Sequence, residues 1–223
     1  MNDLVIYGAG GFGREVAQLL ADLNEREPRW SVLGYISDDV TIHGTISGDL
    51  PVIGGSDWVR ARTQPIAVAL AVGSPAVRRR LVERVRTPYS TFPTLIHPSV
   101  SMGRRVVLGE GTIVCAASVL TVDIRVGAFT LVNVGCTLTH DVVLGEYTTL
   151  APSVNVSGNV TIGDGTDVGT GSKVIQGMSI GEWSIVGAGA VVSRDLPANV
   201  TAVGVPAKAI KERPSGWYRD DHA

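Results

Sequence analysis

The sequence is short of the residues from which several common sites are made. Its 223 residues include two cysteines, Cys115 and Cys136, and four histidines, His43, His97, His140 and His222. Two cysteines cannot build the disulfide framework of a small secreted domain. Cys136 falls at a small-residue position and is expected to pack, not to act as a nucleophile. Of the histidines, His140 alone lies within the repeated part of the chain. A three-histidine zinc site cannot be assembled there, and no metal is expected. Nothing offers a serine in a nucleophile elbow followed by an acid and a histidine.

Charge excess and long apolar runs are missing too. Lys and Arg total 19 against 21 Asp and Glu, a net charge of −2. That gives no bulk footprint for nucleic acid or an anionic membrane surface. Arginines cluster at Arg78, Arg79, Arg80, Arg84 and Arg86, but Glu83 interrupts them and the group reads as a solvated helix face. No apolar run reaches the ~18 residues needed to span a bilayer, and no signal peptide precedes the first strand. A cytoplasmic protein without membrane partners is expected.

What the sequence has in abundance is a six-residue period. Cut from Val100 to Asp195, the chain gives sixteen hexads without insertion, and every third position, from Met102 and Leu108 to Val192, is aliphatic or Met. First positions are mostly small or β-branched, as at Thr112, Ser118, Thr130, Cys136, Thr148, Thr166 and Ser172. Gly109, Gly127, Gly145, Gly163 and Gly181 add an 18-residue period. Three hexads per turn predict a three-sided parallel β-helix, roughly 25 Å tall at ~4.8 Å per coil. The glycines are expected to relieve corners that need unusual dihedrals. After the last hexad, Leu196–Val200 breaks the pattern and the segment 203–210 ends the helix.

Ahead of the repeats, residues 3–7 read as a buried strand, followed by Gly8-Ala9-Gly10-Gly11-Phe12-Gly13 and a helix over 14–23. A second strand, 32–36, ends in Ser37-Asp38-Asp39. A third, 66–72, ends in Gly73-Ser74-Pro75 before a helix over 76–85. This is the opening of a Rossmann-type unit, with a helix N-terminus suited to phosphate at Gly10–Gly13 and an acid, Asp38, placed for a ribose. It is only half of a full dinucleotide fold. It therefore reads as a holder for the nucleotide end of a substrate, ahead of a purely structural cap or a catalytic NAD domain. The fold expected is an α/β Rossmann-like domain over 1–95, an all-β parallel β-helix over 96–210, and a tail, 211–223, without a legible motif. His97, beside Pro98 at the join, is expected to be structural.

One constellation carries chemistry. His140 lies two residues after the inward Leu138, so it projects outward near a corner, and Asp141 adjoins it. Asn133, one edge away in the same coil, stands where a small residue is usual. An acid next to the ring can orient it and favour its protonated form.

The stretches Ile6–Val16, the Pro51–Gly55 turn, Leu95–Ser99, Asn133–Asp141 and Gly204–Lys208, in this order and spacing, resemble the bacterial sugar O- and N-acyltransferases. That group includes sialic-acid O-acetyltransferase-like proteins and N-acetyltransferases of nucleotide-linked 4-amino-sugars. The resemblance implies a left-handed helix and a homotrimer with active sites between subunits. It also implies direct transfer from acetyl-CoA to a nucleotide-linked amino-sugar, UDP- or GDP-linked. His140 would be the general base, with Asp141 setting its basicity. Asn133, with Gly10, Gly11, Phe12, Gly13, Asp38 and Gly73, would meet the substrate. Thr149, Gly158, Thr170 and Ala188 would meet the cofactor, with the Gly158 N–H steadying the oxyanion. Phe12 and Thr149 depart from the pattern, since some members carry histidines there. O-acetylation of a sugar such as sialic acid, acylation of a non-sugar acceptor, and an idle scaffold are the alternatives.

Overall fold

The computed structural model describes residues 1–219. The remainder of the tail, His222 included, lies outside the described residues. The chain opens with β1 (Asn2–Tyr7), α1 (Gly11–Arg26), β2 (Trp30–Ile36), β3 (Ile46–Ser47), β4 (Leu50–Gly54), α2 (Ser56–Arg60), β5 (Ile66–Leu70), α3 (Pro75–Val85) and β6 (Ser90–Thr91). The sheet runs β3-β4-β2-β1-β5-β6, parallel except for the β3–β4 hairpin. β1 and β5 are covered on both faces, which is why Leu4–Tyr7 and Ile66–Leu70 are continuous apolar runs, all buried. Val16, Leu19 and Leu20 of α1 fill one side, and Leu81, Val82 and Val85 of α3 the other. Pro51–Gly55, expected as a turn, is largely strand: Tyr35 pairs with Val52 and Ile36 with Gly54, because β2 offers a free edge and Val52 is buried there.

From Leu95 the chain winds as a three-sided prism. One face stacks the strands beginning at Leu95, Ile113, Leu131, Thr149, Asp167, Ile185 and Val200. The second stacks those at Ser101, Val119, Thr137, Asn155, Lys173 and Val191, and the third those at Val106, Ile124, Val143, Thr161 and Ser179. Parallel partners are 18 residues apart, as in Ile113↔Leu131 and Thr137↔Asn155. Third positions fill the axis. Met102 is the exception at 46% exposure, because no coil lies beneath it. The buried first-position hydroxyls are satisfied in series: Ser118 donates to Asn133 O (2.9 Å), Thr130 to Gly145 O (2.9 Å) and Ser172 to Gly187 O (2.9 Å). Cys136 occupies the same ladder, its sulfur 3.2 Å from Ala151 O. Burial pushes its thiol up to about 11 and that of Cys115 up to about 12, so neither is an activated nucleophile.

The glycine reading needs correcting. Left-handed backbone recurs at the sixth hexad position, usually in residues with side chains: Ala117, Phe129, Asp141, Tyr147 and Trp183 all have φ between 54° and 59°. That conformation aims each corner N–H at the coil before it, as in Phe129 N–H to Glu110 O (2.7 Å) and Tyr147 N–H to Ala128 O (2.8 Å). Gly109, Gly127 and Gly163 have ordinary dihedrals and are required for a different reason. A Cβ on each would lie 2.5 Å from a backbone nitrogen of the next coil.

The second hexad position points outward, and here the faces differ. On the first face Leu95, Ile113, Leu131 and Thr149 are buried under the front domain, whereas Val107, Val119 and Val143 on the other faces are exposed. The first face is hereafter the covered face. His97 ties the seam as a structural residue, its Nε2 2.8 Å from Asp22 of α1. Arg78 does so more deeply. It is 2% exposed, not part of a solvated face, because the prism closes over that side of α3. At the far end the coil continues past the expected break. Leu196 bridges to Ile180, Val200–Val203 pairs with Ile185–Val186, and Lys208–Glu212 caps that strand antiparallel. The tail then folds back: Tyr218 stacks on Trp183, and Arg79 lies over both rings.

Candidate active site

His140 occupies the corner between the second and third faces, above Val122 and below Gly158 in an 18-residue stack. Its backbone is fixed from both sides. Its carbonyl accepts from Asn159 N–H (3.0 Å), and the following Asp141 N–H donates to Val122 O (3.2 Å). The side chain is about half exposed (48%), and Nδ1 lies 2.9 Å from Asp141 Oδ2. A carboxylate can only accept, so Nδ1 carries the proton of that bond, and it is on Nε2 that the neutral ring bears its lone pair. The ring lies directly over Gly158. A Cβ there would stand 2.9 Å from Nδ1 and closer still to Cε1 and Nε2. Gly158 is thus the seat of the imidazole, and among the described residues its own N–H has no acceptor.

The remaining prism residues expected in the site sit elsewhere. Asn133 opens the corner between the covered and second faces, where its Oδ1 accepts from Val134 N–H (2.7 Å). Thr170 and Ala188 stack on that same corner, both exposed, and a Cβ built on the neighbouring Gly171 or Gly189 meets nothing. Helix α1 packs beside this corner too: Glu15, Gln18, Leu19 and Asp22 line a cavity of about 250 Å³ with Cys115, Ala116 and Val134. The residues expected in one site therefore fall on two different corners of the chain. One carries His140, Asp141 and Gly158. The other carries Asn133, Thr170, Ala188 and the front domain.

In the front domain the glycines of the turn fall into two kinds. Gly8 (φ +116°) packs so tightly that a Cβ would be 2.6 Å from Ala71 O, and Gly13 has no room for a Cβ against the Gly8 carbonyl. Gly10 and Gly11 are exposed with open space above them, and α1 has no side-chain cap. Its first N–H groups and positive dipole end face outward, an arrangement suited to a phosphate. Phe12 is half buried and packs on the apolar cluster of Leu4, Leu19 and Leu20, so it gives the turn bulk and no polar group. Asp38 does reach the end of β2, but its carboxylate is already engaged by Ser56 N–H (2.7 Å) and Arg84. Burial would raise this acid. Ser56, Tyr7 and Arg84 together hold it down at about 2.

Thr149 is the clearest correction. Expected beside the cofactor, it is 5% exposed, and its hydroxyl donates to Gly73 O (2.7 Å) while accepting from Arg78 (2.9 Å). It has nothing left for a ligand. Gly73 likewise spends its carbonyl on the seam. The residue the sequence did not flag is Arg78 itself. A lone arginine on the α3 face that also carries buried Leu81, Val82 and Val85 was the available signal. Among the described residues no cluster of three or more His, Cys, Asp or Glu could hold a metal, and no helix is long and apolar enough to cross a membrane.

A nucleotide-type α/β domain seated on a hexapeptide-repeat prism, with one outward histidine at a free corner, defines the acyltransferase class of these helices. Residues 3–85 match the family model described as the PglD N-terminal domain. The acetyltransferase domain of PglB from Neisseria gonorrhoeae FA1090, solved with acetyl coenzyme A, is 30% identical with a TM-score of 0.84, over 94% of this chain and 100% of that one. A histidine-to-asparagine variant of perosamine N-acetyltransferase from Caulobacter crescentus, solved with CoA and GDP-perosamine, is 32% identical with a TM-score of 0.85, over 95% and 98%. UDP-N-acetylbacillosamine N-acetyltransferase of Bacillus subtilis (strain 168) is 34% identical over 126 residues, and the match spans about half (52%) of that relative's length. The chain belongs to the bacterial sugar acyltransferase family, and its prism is the left-handed β-helix of that family.

Proposed function

We propose that this protein transfers the acetyl group of acetyl-CoA to the amine of a nucleotide-linked amino-sugar, with His140 as general base. The observation that carries this reading is the His140 geometry: Nδ1 anchored on Asp141 at 2.9 Å, and the ring seated over Gly158, whose N–H has no acceptor among the described residues. As the amine nitrogen bonds to the thioester carbonyl carbon, Nε2 takes the amine proton. The Gly158 N–H stabilises the oxyanion, and the C–S bond then breaks with the proton passing from His140 to the departing thiolate. The products are the N-acetyl sugar and free CoA. The named acceptors of the similar proteins, a GDP-linked and a UDP-linked amino-sugar, support this acceptor class.

The two half-sites lie on different corners, and that supports a site completed between copies in a closed three-fold ring. His140, Asp141 and Gly158 of one chain would face Asn133, Thr170, Ala188 and the Gly10–Gly11 turn of the next. Acetyl-CoA would run along the groove between them.

The test of the chemistry is thiol release from acetyl-CoA with UDP- and GDP-linked amino-sugars, set against free sialic acid. Transfer to a nucleotide-linked amine is expected, and transfer only to the free sugar overturns the reading. The test of the assembly mixes two dead variants, His140→Ala and Gly11→Trp. In randomly reassembled trimers roughly a quarter of sites would pair an intact histidine with an intact turn and recover activity. No recovery places both halves within one chain.

A further inference from the structure

We infer that Arg78 is a positioning residue for the reaction: it locks the nucleotide-facing edge of the front domain to the coil that bears His140. The inference rests on the functional reading above. Arg78 spends every donor of its guanidinium at the seam. Nε donates to Phe129 O (2.8 Å), one terminal nitrogen to Val72 O (2.7 Å) and Gly73 O (3.0 Å), and the other to Tyr147 O (2.8 Å), Thr148 O (3.2 Å) and Thr149 Oγ1 (2.9 Å). Apart from Phe129 O, the acceptors fall into two sets. Val72 and Gly73 close β5 at the edge where Gly8 packs against Ala71 O, so they are one contact away from the glycine turn. Tyr147–Thr149 belong to the same coil as His140, nine residues further along at Thr149. The Thr149 hydroxyl closes the loop by donating to Gly73 O (2.7 Å).

The choice of acceptors is informative. No carboxylate forms an ion pair with Arg78 among the described residues. A buried cation satisfied by carbonyls has its partners set by backbone geometry, which fixes direction as well as distance. A planar five-donor fork can do this; an ammonium cannot. In the ring proposed above the turn of one chain faces His140 of the next, so the seam acts by fixing the turn to the prism through which the two chains meet. A displacement near 1 Å between a bound acceptor and its base costs on the order of a hundredfold in rate, and a seam rigid at that scale bears on turnover even though Arg78 touches no substrate.

The experiment compares wild type with Arg78→Lys and the gentler Thr149→Val. It measures kcat/KM with a nucleotide-linked amino-sugar and, separately, the affinities for the free nucleoside diphosphate and for CoA. The expected result is a fall in kcat/KM of roughly tenfold or more for Arg78→Lys and about threefold for Thr149→Val, with both affinities held within about twofold. Loss of nucleoside diphosphate affinity in step with kcat/KM would reduce Arg78 to a local support of the front domain and overturn the inference. Unchanged kcat/KM in both variants overturns it too. If the wild type acetylates no nucleotide-linked amine, it is the functional reading that has failed. The seam is then judged by amide exchange at Gly8–Gly11 and Gly73, which should quicken roughly tenfold in both variants if the lock exists.

Discussion

Arg78 at the seam and His140 at the free corner belong to the same molecule and live under opposite conditions. The first is 2% exposed, has six acceptors, and joins two domains. The second has a side chain 48% exposed and, among the described residues, a single side-chain hydrogen bond, to Asp141. Burial lowers Arg78 to about 10, which leaves it charged at neutral pH and makes each missing acceptor expensive. His140 escapes that constraint. Its side chain is half exposed and held by Asp141 alone among the described residues, so the fold does not depend on it. The contrast separates what holds the molecule together from what it works with.

The largest test of this contrast is His140→Ala. Removal of a general base should lower kcat by roughly 10²–10⁴-fold, while an exposed side chain with one bond should leave the thermal midpoint within about 2 °C. Thiol-release kinetics and a melting curve on the same preparation decide it; a large drop in the midpoint would mean the corner is structural after all. Arg78→Met should strike stability as well as turnover. Several buried carbonyls and Thr149 lose their donor together, so unfolding free energy from urea titration should fall by about 3 kcal/mol or more.

Gly158→Ala sharpens the comparison within a single corner. The added methyl would occupy the space of the His140 ring, which can swing outward because it is exposed, so the fold should survive while the base is displaced. A loss of roughly ten- to a hundredfold in kcat is expected, with little change in stability. Gly163→Ala, one hexad on, is the control. Its methyl would meet backbone, 2.5 Å from Glu182 N, and backbone cannot swing away. That variant should lose stability by about 1–3 kcal/mol.

These paired substitutions also mark what the chain reveals before folding. The prism was legible because its constraint is strictly periodic: an inward aliphatic every six residues has no competing explanation. The outward projection of His140 was legible because it follows the inward Leu138 by two residues. Two things were not. The 18-residue glycines looked like turn residues, and only the stacked coils show that Gly109 and Gly127 are required by the backbone above while Phe129 and Tyr147 carry the left-handed corners. Arg78 looked like one of five surface arginines. Its burial depends on Phe129, Tyr147 and Thr149, which are 51 to 71 residues away in sequence. No local pattern encodes a contact across that distance. The same long reach explains Thr149, which the family resemblance set beside a cofactor when its partner is Gly73.

Asp38 is intermediate between the two extremes and gives the smallest effect. Its side chain is about a third exposed (33%), yet it accepts from Ser56 N–H and pairs with Arg84. Its carboxyl is held at about 2, below the ~3.9 of an unfolded chain. A depressed acid adds stability that is present above the unfolded value and is lost as pH falls toward the folded one. For Asp38 that window lies between about pH 4 and pH 2. With the discount that exposure demands, the contribution is ~1 kcal/mol. Asp38→Asn keeps an oxygen for Ser56 N–H but cannot titrate. Its stability should therefore sit below wild type at pH 6 and converge with it by about pH 2 in urea titrations. A gap that stays constant across that range would mean the carboxylate serves the β4–α2 turn by shape alone, and that charge at this edge is reserved for a ligand.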